Sequence, residues 1–379
     1  MQFISLQENL KKGLNIVSHT SSKNINLPIL NNILIKAYSG EIEFIGTNLE
    51  IGVNSKIRGK VESDGEFTVN SRLITDYINL LNPNEKVLFK LIDNELLVES
   101  GNYKTKIKGE SSKEFPLIPT IESENIFSFE LESFRKALNS VIFSVSISEN
   151  RLELTGVLFS FSKDSLDLAA TDSYRLAEKN LKIDQDINKN LNKDLGNFKL
   201  IVPAKTIQEL LRILNNIGEL SDSDGKINIS FSDNQILFTF NSTSLISRII
   251  NGNYPDYKQI IPTQTKTKAL VDKIELVRAI KAASLFSKNG MNDILLQFKK
   301  NQILISSFSG ASGESKIKID SKNEGEENEI TINFKYILDG LNNIDSELIE
   351  ILVLNSNSPC IIKRAGTSDY LYIVMPIRQ

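Results

Sequence analysis

The chain has 379 residues, of which 40% are hydrophobic and 24% charged, with a formal net charge of −3 at pH 7. This length exceeds one ordinary core and predicts two or three domains. The slightly acidic balance argues against a protein that coats nucleic acid with its whole surface, although it allows a local basic patch. No stretch approaches the ~18 consecutive apolar residues of a membrane span.

The first residues and the cysteine count indicate the compartment. Met1–Ser5 lacks the basic and apolar regions of a signal peptide. The single cysteine, Cys360, excludes an internal disulfide framework and fits a reducing environment. We therefore expect a cytoplasmic protein with no membrane partner.

The first predicted elements are a short strand at 3–5 and an amphipathic helix. The helix is predicted by apolar residues at helical spacing, namely Leu6, Leu10, Leu14 and Val17. Two alternating, β-branched-rich runs at 33–37 and 42–46 follow, joined by a polar break typical of a hairpin. A strand at 67–69 then leads into a second helix with Leu73, Ile74, Tyr77, Ile78 and Leu81, and strands at 86–91 and 95–100 come next.

The same order of elements recurs twice. The second pass has a strand at 127–129, a helix with Phe134, Ala137, Leu138, Val141 and Ile142, a hairpin of 156–162 with 165–169, a strand at 200–202, and a helix with Ile207, Leu210, Leu211 and Leu214. The third has a strand at 269–271, a helix with Leu276, Val277, Ile280 and Ala283, a hairpin of 294–299 with 302–306, a strand at 330–332, and a helix with Phe334, Ile337, Leu338 and Leu341. The chain therefore contains an internal threefold repeat.

We predict an α+β fold of three tandem copies of a two-helix, antiparallel-sheet domain, at 1–121, 122–262 and 263–379. The boundaries fall in the proline-punctuated segments 115–119 and 254–262. Asn70 or Ser71, and Asn333, are suitable helix N-caps, and Pro203 suits a first helical turn.

Residues for catalysis or metal binding are sparse. His19 is the only histidine and is expected to be an ordinary surface residue, since a metal site needs clustered ligands. The sequence has no phosphate-binding glycine loop or nucleophile-elbow motif, and Gly310–Gly313 is interpreted as a hairpin turn. We expect neither a metal nor a cofactor.

The best enzymatic candidate is the segment 171–175. Asp172, Ser173 and Arg175 place an acid, a hydroxyl and a guanidinium together, which could position an anion. Ser173, however, has no base partner in the pattern. A local Asp172–Arg175 ion pair that closes a strand end is the simpler interpretation, so we predict that the protein is not an enzyme.

Basic residues recur on all six predicted helices: Lys11, Lys12, Arg72, Arg135, Lys136, Lys205, Arg212, Arg278, Lys281 and Lys335. They fit either ordinary solvated helix faces or a helical face presented repeatedly to a polyanion. The pattern alone does not decide between these interpretations.

Five blocks of sequence, spread in order over the whole chain, resemble the bacterial sliding clamp family, the beta subunit of DNA polymerase III. They are 27–32 with 46–50, 151–159, 170–177, 251–257 and 372–378. The sequence departs from the family at Ser173-Tyr174 (often Gly-His), Gln259 (often Arg), Asn357 (often a small aliphatic residue) and Gln379 (often apolar). The peptide preference is therefore open.

The resemblance implies a head-to-tail homodimer that forms a six-domain ring around double-stranded DNA. Phosphate contacts are sequence-independent, so such a ring slides. The implied partners are DNA polymerase III alpha, other polymerases and a clamp loader, and the implied role is that of a processivity factor. The alternative is a monomeric nucleic-acid-binding or protein-binding adaptor built from the same repeated domains.

The resemblance also implies site residues. The DNA-facing set is Lys23, Asn24, Arg72, Arg151, Lys205, Arg212, Lys288 and Asn289. The dimer interface set is Ile107, Leu285 and Phe286. The partner-peptide cleft set is Leu154, Thr171, Ser173, Tyr174, Arg175, Leu176, Pro255, Ile260, Asn333, Tyr336, Ile373, Met375, Pro376, Ile377 and Arg378. Arg72 and Lys205 equally fit plain surface charges, and Leu154 and Ile373 equally fit core packing.

Overall fold

The computed structural model describes residues 1–21, 27–119, 121, 126–183, 197–217, 225–288 and 290–377. These residues form six α-helices, which are those that the periodicity predicts. They are α1 (Gln7–Val17), α2 (Ser71–Leu80), α3 (Leu131–Ile142), α4 (Ala204–Ile217), α5 (Lys273–Ser284) and α6 (Phe334–Asn343). Within the same residues, no helix is long and apolar enough to cross a membrane.

The same part of the chain forms 26 strands. The first copy contributes β1 (Gln2–Leu6), β2 (Asn32–Tyr38), β3 (Glu41–Thr47), β4 (Ile51–Ile57), β5 (Lys60–Ser63), β6 (Gly65–Asn70), β7 (Lys86–Ile92), β8 (Glu95–Ser100) and β9 (Tyr103–Glu110). The second contributes β10 (Phe127–Glu130), β11 (Gly156–Phe161), β12 (Ser165–Thr171), β13 (Arg175–Lys182), β14 (Phe198–Pro203), β15 (Lys226–Phe231), β16 (Gln235–Phe240) and β17 (Thr243–Arg248). The third contributes β18 (Thr267–Asp272), β19 (Asp293–Lys299), β20 (Gln302–Ser309), β21 (Gly313–Asp320), β22 (Lys322–Gly325), β23 (Asn328–Asn333), β24 (Leu348–Val353), β25 (Cys360–Arg364) and β26 (Tyr370–Val374).

The predicted hairpins are confirmed, but each copy has more strands than the pattern predicts. Each hairpin is extended by a third strand, β4, β13 or β21. The strand β4 alternates polar with apolar residues only weakly, so its periodicity gives little signal, whereas 316–320 of β21 alternate clearly and were not among the predicted strands.

The helices bury one apolar face against the sheets. In α1, Leu10, Leu14 and Val17 are fully buried, as predicted. In α2, Ile74 and Ile78 are buried, but Leu73 is 53% exposed and Tyr77 is partly exposed. The prediction that Leu73 belongs to the buried face is therefore wrong, because α2 carries a second, exposed apolar stripe beside the buried one.

Polar caps define several helix starts. Asn70 accepts a hydrogen bond from the Leu73 N–H at 3.0 Å, and Asn333 accepts one from the Lys335 N–H at 3.0 Å. Asn333 is the predicted cap, and Asn70 is one of the two candidates predicted for α2. Pro203 is the last residue of β14 rather than part of the first helical turn, because α4 begins at Ala204.

The chain divides into two compact units, and the middle copy contributes to both. Unit 1 includes residues 1–132 and 205–249, and it holds a sheet of 13 strands in the order β10-β15-β16-β17-β4-β3-β2-β6-β9-β8-β7-β1-β5. Unit 2 includes 133–183 and 250–377, with residues 197–204. It holds a nine-stranded sheet, β14-β11-β12-β13-β26-β25-β24-β18-β22, and a four-stranded sheet, β21-β20-β19-β23.

Each large sheet is continuous across a boundary between copies. In unit 1, β17 pairs with β4, with Thr243 opposite Ser55 and Ser247 opposite Ile51. In unit 2, β13 pairs with β26, with Arg175 opposite Val374 and Lys179 opposite Tyr370. Backbone hydrogen bonds therefore join neighbouring copies, so that each edge strand at these boundaries is covered.

Candidate functional site

The turn between β12 and β13 in unit 2 is the segment singled out for its chemistry. The Asp172 carboxylate accepts hydrogen bonds from the Tyr174 and Arg175 N–H groups, both at 3.0 Å. The Thr171 hydroxyl donates to the Arg175 carbonyl at 2.6 Å and accepts from the Ser173 N–H. Ser173 has a φ of 78°, a left-handed conformation in which glycine is ordinarily favoured. The side chains of this turn are therefore used to fix its backbone.

Arg175 forms the predicted ion pair with Asp172, at 2.9 Å, and a second one with Asp339 of α6, at 2.5 Å. Its guanidinium also lies 4.8 Å from the ring centroid of Tyr336 and 5.7 Å from that of Phe143. Burial lowers the pKa of Arg175, but the Tyr372 hydroxyl and the two carboxylates offset this and raise the pKa above its usual value. With only 11% of its side chain exposed, Arg175 connects the turn to α6.

The chain's final described segment lies along this turn. The Met375 N–H donates to the Tyr174 carbonyl at 2.9 Å, and the Ile377 N–H donates to the Thr331 carbonyl at 2.8 Å. Pro376 forms an isolated bridge with Ile332. Residues 375–377 therefore bridge the middle and third copies within unit 2.

Two side chains from other elements contact the turn between β12 and β13. Arg151 donates to Ser173 Oγ at 3.2 Å and pairs with Glu153 at 3.0 Å. The Tyr254 hydroxyl accepts a hydrogen bond from the Thr171 N–H at 3.1 Å, and burial raises the Tyr254 pKa well above its usual value. Arg151, expected to face DNA, is thus brought to the predicted cleft.

The cleft residues divide into a buried layer and an exposed layer. Leu154, Thr171, Leu176 and Ile373 are buried, and the last two belong to a packed cluster with Tyr257. Tyr174 is 63% exposed and Ile260 41% exposed. Pro255, Tyr336, Met375, Pro376 and Ile377 are partly exposed, as is Asn333, whose side chain caps α6. The surface available to a ligand is therefore the exposed layer.

A cavity of about 580 Å³ in unit 2 lies elsewhere on the middle copy. It is lined by β11, β12, β14 and the segment 252–258, and Pro255 is its only lining residue among those predicted for the cleft. Here Lys258 pairs with Asp167 at 3.1 Å. The other described residues predicted for the cleft therefore do not line this cavity.

The charged residues expected to face DNA differ in their surroundings. Lys205 and Lys288 are exposed, and the Arg72 side chain is 83% exposed, with Asp76 3.5 Å away. Arg212 is used differently: it donates to the Asn15 and Ile16 carbonyls, at 3.1 and 2.6 Å, and pairs with Glu209. Its guanidinium caps the C-terminal end of α1, which has no basic residue in its own last turn. Lys23, Asn24, Asn289 and Arg378 lie outside the described residues.

The residues expected at a dimer interface also differ. Leu285 is 75% exposed and Phe286 partly exposed, but Ile107 is only 4% exposed within its own chain. On α2 and β9, unit 1 has a group of exposed or partly exposed apolar residues, which we call the first-copy patch: Leu73, Tyr77, Leu80 and Tyr103. Burial and the neighbouring Tyr103 hydroxyl raise the pKa of Tyr77, which indicates that α2 and β9 share this surface.

No cluster of three or more potential metal ligands occurs among the described residues. Cys360 is fully buried, and burial raises its thiol pKa to about 12. His19, by contrast, is exposed.

Comparison with known proteins places these features in a family. Models of the N-terminal, central and C-terminal domains of the DNA polymerase III beta subunit match residues 1–119, 128–256 and 258–378. The chain belongs to this family. It is 30% identical over 393 residues to the beta sliding clamp of Staphylococcus aureus and 28% identical over 394 residues to that of Synechocystis sp., in each case covering 100% of this chain and 99% of the relative.

Solved structures of beta subunits have the same fold. The DNA polymerase III beta subunit of Thermotoga maritima matches with a TM-score of 0.89 at 27% identity. The DNA polymerase sliding clamp of Bacillus subtilis matches with a TM-score of 0.91 at 26% identity. Each comparison covers 100% of this chain and 99% of the other. The prediction of three tandem α+β clamp domains is confirmed.

Two residues around Arg175 were not found from sequence. Phe143 and Asp339 contact Arg175 from helices or turns far away in the chain, and neither belongs to a local motif. Helical spacing offered one signal: Asp339 lies three residues after Tyr336 and so shares its face of α6.

Proposed function

We propose that this protein is a sliding clamp, a processivity factor that encircles double-stranded DNA and tethers the replicative polymerase and other DNA enzymes. The observation that carries the proposal is the match of the whole chain, in order, to the three beta-subunit domains. A closed ring stays on DNA because the DNA passes through it, and this requires no catalytic group. We infer that the protein is non-catalytic and works in the cytoplasm, where a bacterial chromosome is replicated.

Unpaired sheet edges support assembly from two copies. In the described residues, 103–108 of β9 pair only with β8, and β21 pairs only with β20. Such edges readily add a strand from another chain. Because one edge is in the first copy and the other in the third, their pairing would be a head-to-tail contact, which forms a ring when two chains close it.

Exposed apolar residues accompany both edges. The first-copy patch lies beside β9, and Leu285, Phe286 and Met291 are exposed or partly exposed after α5, which packs on β21. Contiguous apolar groups on a protein surface mark association sites. The contact offered by β9 is therefore better assigned to the first-copy patch than to the buried Ile107.

The interface can be tested by charge substitution. We expect Leu285→Asp and Leu73→Asp each to convert a particle near twice 42.5 kDa into one of a single chain at micromolar concentration. Leu117→Asp is the matched control, because Leu117 is 93% exposed and lies in the segment between copies. Sedimentation that shows single chains in the unsubstituted protein would contradict the ring.

We propose that the exposed layer of the cleft binds a short peptide of the polymerase and of other partners, including the clamp loader. Tyr174, Ile260, Met375 and Pro376 offer apolar contact, and Arg151 lies at the rim as a polar group. A groove with apolar surface and few polar groups suits leucine or phenylalanine anchors.

Met375→Asp is expected to weaken peptide binding. Ile147→Asp, at a residue 96% exposed, serves as the control.

We propose that Arg72, Lys205 and Lys288 face DNA. All three are exposed, and cations on a sliding surface need only weak, sequence-independent phosphate contacts. Arg212 is left out of this surface, because its guanidinium is bound to Glu209 and to the end of α1.

The decisive experiment is retention on DNA after loading by a clamp loader with ATP. The protein is expected to stay on nicked circular DNA and to run off once the circle is linearised. Equal dissociation from circular and linear DNA would exclude a topological link.

A further inference from the structure

The segment 250–254 of unit 2 is anchored at both of its ends. At one end, the Ile250 N–H donates a hydrogen bond to the Ile201 carbonyl at 2.8 Å. At the other end, the Tyr254 hydroxyl accepts one from the Thr171 N–H at 3.1 Å. Ile250 and Tyr254 also pack against the same apolar cluster. The chain between them therefore spans two fixed points.

The three residues between these anchors are not held in the same way. Asn251, Gly252 and Asn253 are exposed and lie outside any helix or strand. None of them makes a hydrogen bond within the described part of the chain. The Gly252 N–H is therefore free of any protein acceptor that would protect it or fix its direction.

The backbone does not require a glycine at position 252. The φ of Gly252 lies outside the left-handed region that favours glycine. A Cβ at this position would meet only the Glu153 side chain, at an ordinary contact distance of 3.5 Å. The consequence of this glycine is therefore chemical: without a side chain, its peptide nitrogen is sterically accessible to the side chain of the residue before it.

Asparagine followed by an unhindered glycine is the arrangement in which this chemically labile side chain deamidates most readily. The deprotonated Gly252 nitrogen attacks the side-chain carbonyl carbon of Asn251, a C–N bond forms to close a succinimide ring, and the side-chain nitrogen leaves as ammonia. Water then adds to either ring carbonyl and breaks its bond to the ring nitrogen, which gives aspartate or isoaspartate. The net reaction consumes one water, releases one ammonia and changes no oxidation state.

We propose that Asn251 is a site of spontaneous deamidation, and that its conversion to isoaspartate weakens peptide binding in the cleft. The second half of the proposal rests on the proposed docking function, whereas the first half does not. Isoaspartate adds one carbon atom to the main chain between Ile250 and Tyr254. Because both ends are anchored, the longer chain displaces the Tyr254 hydroxyl from the Thr171 N–H. Thr171 belongs to the turn that carries the exposed Tyr174, so this displacement loosens the surface available to the peptide.

The first test measures the modification on the full chain with no partner present. Protein aged at mildly alkaline pH is digested with trypsin, which releases 249–258 as one peptide and separates it from the other Asn-Gly pair, 289–290. Asn253 is the internal control, because it is equally exposed but is followed by the bulky Tyr254. The mass gain of amide-to-carboxylate conversion, located by fragmentation, is expected at Asn251 and not at Asn253. No gain at Asn251, or an equal gain at both positions, would overturn the proposal.

The second test uses Gly252→Ala, whose methyl group hinders attack by the nitrogen and fits beside Glu153. Fresh Gly252→Ala is expected to bind a labelled partner peptide as the fresh wild type does. After equal ageing, the wild type should lose affinity several-fold and Gly252→Ala should retain it. The pair 289–290 ages in both proteins, so the difference between them reports on Asn251 alone. An equal loss of affinity in both would overturn the effect on the cleft.

The third test separates added charge from added length. Freshly prepared Asn251→Asp has the new carboxylate but an ordinary main chain, so it is expected to bind the peptide nearly as well as the fresh wild type. An affinity as low as that of the aged wild type would assign the effect to charge and overturn the role of the isoaspartate link. Failure of the docking function is distinct: the fresh wild type would then bind no peptide, while the mass gain at Asn251 would still appear.

Discussion

The two junctions between copies use the same backbone connection but different side chains. At the β17–β4 junction in unit 1, the paired residues are uncharged, such as Ser244 opposite Asn54 and Leu245 opposite Val53. At the β13–β26 junction in unit 2, Arg175 binds two carboxylates and lies against two aromatic rings. Repetition of the fold requires only a continuous sheet, so the additional chemistry at the second junction indicates a specialised surface.

Each junction also has one arginine that links neighbouring copies. Arg212 connects α4 to the end of α1 through backbone carbonyls, and Arg175 connects β13 to α6 through carboxylates. Both side chains are mostly buried, with 21% and 11% exposed. The difference is in what lies beside them: exposed Tyr174 and the segment 375–377 adjoin Arg175. The surface available to a ligand at the second junction is therefore formed by the residues beside Arg175 rather than by Arg175 itself.

The largest expected effect is on the second junction itself. Arg175→Met leaves Asp172 and Asp339 without their common cation, which is expected to cost about 2–3 kcal/mol of local stability, less than for a fully buried pair since Asp339 is half exposed. Hydrogen exchange should speed up in β13 and β26 and stay unchanged in β17 and β4. Arg175→Lys keeps the charge but loses the planar fork of the guanidinium. Its exchange rates in β13 and β26 should therefore lie between those of the wild type and of Arg175→Met. Equal acceleration at both junctions would contradict a local role.

The next largest effect separates docking from assembly. Deleting residues 375–379 removes the Met375–Tyr174 and Ile377–Thr331 hydrogen bonds and an apolar part of the groove. We expect peptide affinity to fall by about 2 kcal/mol or more, while the dimer remains intact. Fluorescence anisotropy of a labelled partner peptide, with sedimentation as the control for assembly, measures both. Undiminished peptide affinity would show that the cleft is wrongly placed.

A smaller effect tests Arg212. Arg212→Met uncovers the last carbonyls of α1 and removes the pair with Glu209, for an expected loss of about 1 kcal/mol. Hydrogen exchange in α1 should report this loss, whereas the salt dependence of DNA binding should not change. A reduced salt slope would return Arg212 to the DNA-facing surface that its position on a helix had suggested.

The sequence predicts the repeated elements well because helix and hairpin periodicity is local. Leu10, Leu14 and Val17 of α1 are fully buried, as their spacing predicts. The residues whose surroundings the sequence did not predict have one feature in common. Leu73 is apolar but exposed, and Arg212 is basic but bound to protein, because both outcomes depend on partners from distant parts of the chain or from a second chain. A single sequence shows which residues share a helix face, but not what lies opposite that face.

Acid sensitivity should give the smallest difference between the junctions. Burial raises the pKa of Asp369, but the hydrogen bond and charge of Lys179 and the charge of Arg364 outweigh this, so the pKa lies below its usual value. A depressed folded pKa stabilises the fold above the unfolded value of about 3.9, and this contribution is lost as pH falls through the folded value. The Asp369 side chain is 42% exposed, so solvent screening limits the effect to well under about 1 kcal/mol. The protection of β13–β26 from exchange, relative to the intrinsic exchange rate at each pH, should fall more from pH 5 to pH 3 in the wild type than in Lys179→Met, whose Asp369 has already lost its partner. None of the paired residues of the β17–β4 ladder has an ionisable side chain, so this ladder provides the internal reference. The same acid response in both proteins would show that the Lys179–Asp369 pair does not stabilise the second junction.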